Sequence, residues 1–143
     1  MRKLFVGLVL SLSACAATAK QVEVKGQTED LVKLAGNWEG QYEGLDSGRT
    51  GAIKFNLEVG RHTADGEVFL GGNQPLKISF VEVDAGQVSG RIDPYTDPTC
   101  NCLVRTEFEG LFRGDSVDGT FVTKMLPDGK ELRGNWQVER KGT

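Results

Sequence analysis

One histidine, three cysteines and four prolines are spread over 143 residues. A Ser/His/Asp set has only His62 to draw on. That residue follows Arg61 in a turn, where a solvated loop position accounts for it. Basic residues form no run and the formal net charge is −3, which argues against nucleic acid or an anionic surface as a charge-selected partner. The glycines fall among alternating apolar residues and not ahead of a helical pattern, so no phosphate-cradling loop is present. The apolar run from Leu4 to Ala14 is well short of the ~20 residues a membrane-crossing helix requires. The acids Glu39, Glu43, Glu107 and Glu109 occupy outward positions on alternating segments, as solvated wall charges do.

What is present begins with an address. Met1-Arg-Lys3 followed by the apolar run reads as an export signal. Two cleavage sites compete behind it. Ala17-Thr-Ala19 suits ordinary signal peptidase, whereas Leu12-Ser-Ala-Cys15, directly at the end of the run, resembles the bacterial lipoprotein signal. The resemblance implies that Cys15 is acylated and becomes the first mature residue. Ala16 is not the Asp of an inner-membrane retention signal, which favours the outer membrane, facing the periplasm. A soluble periplasmic or secreted protein is the alternative. Removal of residues 1–14 takes away Arg2 and Lys3 and moves the charge from −3 to −5. Residues 15–27 then read as lipid anchor and tether, and 28–143 as one domain.

Within that domain one pattern recurs: large apolar, any residue, Gly, any residue, large apolar. It occurs at Trp38-Glu-Gly-Gln-Tyr42, Val88-Ser-Gly-Arg-Ile92, Phe108-Glu-Gly-Leu-Phe112, Val117-Asp-Gly-Thr-Phe121 and Leu132-Arg-Gly-Asn-Trp136. Residues two apart on a strand share a face, so each glycine lies with the two large side chains beside it. Such glycines relieve crowding on the inner wall of a tightly coiled sheet. Ile53, Phe55, Leu57 and Val59 alternate strictly. Leu76, Ile78 and Phe80 do the same until Val81 and Val83 change face, which predicts a bulge. Thr28 to Leu34, with Thr28 at the N-cap, predicts a short helical turn. Asp93 to Asn101 reads as a long connection. The whole predicts an all-β, eight-stranded, antiparallel up-and-down barrel.

The helical turn ahead of Gly36-Asn37-Trp38, with a basic residue, Arg140, on the last strand, resembles the calycin superfamily of lipocalins and avidin-like barrels. The resemblance implies that Arg140 covers Trp38 at the closed end. The remaining lipocalin signatures and the avidin biotin-holding constellation are missing, so the family's ligand does not carry over.

Cys100-Asn-Cys102 supplies the only thiols left once Cys15 is acylated. In an oxidising compartment the pair is expected to be bridged. So small a loop stabilises by only about 1.6 kcal/mol on the chain-entropy estimate. A redox-active bridge, a soft-metal site with His62, or free thiols are the other readings; no cofactor or metal is predicted. Trp38 and Trp136 share the setting Gly-Asn-Trp on the first and last segments. They are read either as core or, with Tyr42, Phe55 and Phe108, as the lining of a ligand cavity. The functional expectation is a non-enzymatic envelope lipoprotein that binds a small apolar ligand or a protein partner. Its alternative is a structural or inhibitor-type barrel with a filled core.

Overall fold

The computed structural model describes residues 20–72 and 74–142. The export signal, Cys15 and the first residues after it lie outside the described residues. Gln21–Gly26 forms β1 and Thr28–Leu34 forms α1. Eight strands follow: Gly36–Gly44 (β2), Thr50–Leu57 (β3), Thr63–Phe69 (β4), Pro75–Asp84 (β5), Gln87–Asp97 (β6), Cys102–Arg113 (β7), Ser116–Met125 (β8) and Glu131–Arg140 (β9). They close into a barrel in the order β1-β4-β3-β2-β9-β8-β7-β6-β5, an all-β architecture compatible with a calycin-like fold.

The expected eight antiparallel strands are β2 to β9, with β2 pairing to β9 as a closing meander requires. The barrel nevertheless has nine strands, and one pairing is parallel. β4 and β5 pair only along Glu67–Phe69 and Pro75–Lys77, then diverge. β1 fills the wedge between them, antiparallel to β4 through Gln21–Glu23 and parallel to β5 through Glu23–Gly26. Residues 21–26 are therefore wall and not tether. The physical reason is burial of Val22 and Val24, at 0% and 2% exposure, between outward Gln21, Glu23 and Lys25. Two apolar residues in alternation are a weak period, yet they seal a seam that would otherwise leave the ladders of two strands open.

Two strands depart from their expected course. The change of face in β5 falls at the register shift between Ile78 and Phe80. Ile78, Val81 and Val83 are buried, while Phe80 lies outside with Lys25 and Arg91 over its ring. β6 runs on to Asp97 and absorbs Pro94 at a second irregularity, between Ile92 and Tyr95, where a missing N–H is tolerated. The connection expected from Asp93 to Asn101 thus shrinks to 98–101. Ser79 Oγ donates to Asp93 Oδ1 across the two irregularities.

One end is sealed. In α1, with Gln27 rather than Thr28 at the N-cap, Leu31 and Leu34 are buried under the barrel floor. Trp38, 1% exposed, donates from Nε1 to Leu34 O at 2.8 Å. The Arg140 guanidinium stands 4.3 Å over the Trp38 ring. It also donates to Lys33 O at 2.7 Å and to Ala35 O, and pairs with Asp115 at 3.1 Å. Charge, cation–π contact and carbonyl acceptors thus hold helix, first wall strand and last strand together.

Three of the recurrent glycines, and two glycines outside that pattern, pair across strands with an aromatic residue. Gly90 faces Phe108, Gly119 faces Trp136, Gly134 faces Phe121, Gly51 faces Tyr42 and Gly66 faces Phe55. A Cβ on Gly51 would stand 2.6 Å from Tyr42 Cε1, and one on Gly66 3.0 Å from Phe55 Cδ2. The rings occupy the space that side chains at these positions would take, which is aromatic cover of strand glycines.

Gly110 lies under the same Trp136 ring, where a Cβ would meet Cζ2 at 2.7 Å and Asp118 O at 2.8 Å. Gly110→Val is expected to lower stability by about 1–3 kcal/mol or more. Glu109→Val, next to it and exposed, should stay within about 0.5 kcal/mol. Urea unfolding of the two variants checks this. A chain beginning at Gln27 loses the burial of Val22 and Val24, roughly 3–6 kcal/mol. Against a typical total of about 5–15 kcal/mol, it should show a markedly lower thermal midpoint or no cooperative transition by circular dichroism.

Candidate functional site

The end opposite α1 is where the turns β2–β3, β4–β5, β6–β7 and β8–β9 gather, and there the barrel is not filled. A cavity of about 460 Å³ runs from the floor at Leu34 and Trp38 to exposed Asp46, Ser47, Thr99 and Lys130 at the rim. That size falls within the range of small-molecule pockets, about 300–1,000 Å³. Trp38, Tyr42, Phe55, Phe108 and Trp136 all border it. The two tryptophans occupy different levels. Trp38 is edge-on to Phe112 at 6.0 Å in the floor, whereas Trp136 is edge-on to Phe108 at 5.8 Å in the wall. Trp136 Nε1 is satisfied by Glu109 O and Thr120 O, so its ring offers the lumen an apolar surface.

Polar groups in the wall are mutually satisfied. Thr106 Oγ1 and Thr123 Oγ1, both buried, share a hydrogen bond of 2.7 Å. Tyr42 OH donates to Phe69 O at 2.8 Å. Tyr42 and Tyr95 hydroxyls are pushed above the usual phenol value, chiefly by burial. An interior of this kind presents hydrocarbon and neutral hydroxyls to a guest.

Charge enters only at the mouth. Arg49, just past the β2–β3 turn, donates from Nη1 to Asp97 Oδ2 at 2.7 Å and from Nη2 to Asp97 Oδ1 at 3.0 Å. Nη2 also donates to Thr99 Oγ1 at 2.6 Å, and the Thr99 backbone N–H donates to Asp97 Oδ1 at 2.8 Å. This fork-to-fork pair holds the Asp97 carboxyl below the usual carboxylate range, the Arg49 hydrogen bonds outweighing the opposing cost of burial. The Arg49 guanidinium is raised above its ordinary value by the same bonds. Asp97 is 6% exposed, so the pair is a fixed strut between the β2–β3 turn and the end of β6.

Cys100 and Cys102 are joined by a disulfide at that rim, with the intervening Asn101 at φ 51°. This left-handed geometry supplies the turn that brings two cysteines so near in sequence together. Cys100 borders the mouth. His62 lies in the β3–β4 turn at the sealed end, where its carbonyl accepts from Val24 N at 2.9 Å, and so it stands at the far end of the barrel from both cysteines. Among the described residues no cluster of three His, Cys, Asp or Glu is placed to hold a metal ion. Arg49, Asp97, Tyr95 and Phe121 were not legible as site residues. The Arg49–Asp97 pair joins positions 48 apart, and Asp97 read as part of a loop.

Replacing Arg49 by Met leaves Asp97 buried without its donor, with an expected loss at pH 7 of about 2 kcal/mol. Because the folded Asp97 carboxyl is lowered, the pair's contribution is present above the unfolded carboxylate value, about 3.9. It is lost as pH falls through the lower folded value. Chemical denaturation of both proteins between neutral and acid pH should therefore show a gap that closes below about pH 4.

Comparison with protein families, with characterised proteins and with solved structures found no match to this chain.

Proposed function

We propose that the protein binds a small apolar or amphipathic molecule inside the barrel, without chemistry on it, as an acylated protein of the bacterial cell envelope. The observation that carries the binding reading is the apolar cavity, open at one end and bordered by seven aromatic side chains at depths from floor to rim. Covered polar groups along the wall offer no charge for a guest to pair with, so the apolar body of the guest supplies the driving force. The polar part of such a guest stays at the mouth, beside Arg49, Lys130 and Thr99.

The address rests on the sequence: Leu12-Ser-Ala-Cys15 behind a basic start and an apolar run. Removal of the signal leaves acylated Cys15 as the attachment to the membrane, with Ala16 favouring the outer one. The alternative of a protein-binding barrel with a filled core is disfavoured by the empty volume. A protein partner at the rim loops remains compatible with an occupied lumen.

The test is titration with N-phenyl-1-naphthylamine, an apolar dye whose emission rises on leaving water. Saturable binding with energy transfer from Trp38 and Trp136 is expected, and saturating dye at 100 times its dissociation constant should stabilise by about 2.7 kcal/mol. Ile53→Trp with Val68→Trp adds bulk to paired lumen positions. The folded double variant should lose most of the dye response. Undiminished binding in that variant would place the dye elsewhere and defeat the reading.

A further inference from the structure

Six large apolar side chains are exposed among the described residues, and they divide evenly between the ends. Val32, Val59 and Leu111 lie toward the sealed end; Leu45, Leu103 and Leu126 lie at the open end. Exposure alone does not choose between them. The path of the chain does.

β1 runs parallel to β5, from the side of the open end toward α1, so the chain enters the barrel wall from the mouth side. Its entry point is fixed: Lys20 O accepts from Gly66 N at 2.8 Å, and Lys20 Nζ pairs with Glu67 at 2.8 Å. From Gly66 to the end of β4 at Phe69 is three residues, about 10 Å of strand. From Lys20 back to Cys15 is five residues, at most about 18 Å of chain. Cys15 itself therefore lies no more than about 8 Å beyond the end of β4, even with the chain fully extended.

The three rim leucines complete the geometry. Leu126 N donates to Leu103 O at 3.0 Å and Leu45 N donates to Arg133 O at 2.8 Å, so they form an arc over β7, β8, β9 and β2. That arc lies across the barrel from the β1 seam between β4 and β5. An anchor on one side and an apolar arc on the other define a plane across the mouth. Lys124, Lys130 and Arg133 lie on or beside the β8–β9 turn at this end, with Arg133 paired to Glu131 at 3.2 Å and Asp46 and Asp128 in the adjoining turns.

We infer that the open end docks on the lipid bilayer that holds Cys15, with Leu45, Leu103 and Leu126 in the interface and the cavity mouth turned to the membrane. The inference rests on the reading of Cys15 as the acylated residue. It names the source of the guest: an acyl chain passes between bilayer and lumen without crossing water.

The test uses the full-length protein purified from membranes and reconstituted in phosphatidylcholine/phosphatidylglycerol vesicles, with and without brominated acyl chains. Leu126→Trp and Val59→Trp place reporters at opposite ends, both at exposed positions that leave the core untouched, against the common background of Trp38 and Trp136. Brominated lipid should quench the Leu126→Trp protein at least twice as strongly as the Val59→Trp protein, as interfacial burial at one end requires. Intact mass of the same samples reads the acyl groups directly. Acylated protein in which Val59→Trp is quenched equally or more overturns the orientation alone. Acylated protein in which neither reporter exceeds the wild type also overturns it and leaves the mouth facing a soluble partner. A chain without acyl groups removes the anchor, and the docking falls with the reading on which it rests.

Discussion

The absence of a Cβ beneath each of five aromatic rings is the constraint on which the interior depends. Where Phe108 crosses Gly90, Trp136 crosses Gly119, Phe121 crosses Gly134, Tyr42 crosses Gly51 and Phe55 crosses Gly66, the ring has a bare backbone to lie against. It can therefore spread along the wall instead of reaching for the axis. A wall made thin in this way leaves a lumen in a barrel whose size is otherwise just filled by its own side chains. The same pairing tightens the coil of the sheet, because glycine permits the bend that closure demands.

The two ends are built on different principles. At the sealed end Arg140 joins three elements through one side chain: the ring of Trp38, the carbonyls that end α1, and Asp115 on the β7–β8 turn. Apolar burial at Leu31, Leu34, Leu57 and Val83 fills the space around it. At the open end Arg49 with Asp97, the most buried ion pair among the described residues, spans the gap between two turns and stiffens the rim without filling it. Pairing confines charge to the mouth, since an unpaired charge lower in the lumen would bear the full cost of desolvation.

β1 links these ends to location. Its two valines seal the seam where β4 and β5 part, and its direction brings the N-terminal chain in from the mouth side. On the proposed acylation of Cys15, the strand that completes the core also sets how near the barrel stands to its anchor, and the seam and the proposed orientation are one feature.

By itself the sequence determined the all-β class, the short helix, the inward register of most strands and five of the seven aromatic positions that border the lumen. These follow from period-two alternation and from glycine spacing, which are local properties of a pleated strand. It carried the expectation of a Cys100–Cys102 bridge from the oxidising compartment alone, whereas the left-handed turn at Asn101 that brings the two together is seen only in the structure. Tertiary structure alone decided the ninth strand, because Val22 and Val24 make too short a period to announce a strand until β4 and β5 diverge around them. It decided the Arg49–Asp97 strut, since nothing local relates a turn residue to one 48 positions away. It decided as well that the interior is open: the volume left inside depends on how rings and glycines meet across strands, and that register is set by closure of the whole sheet.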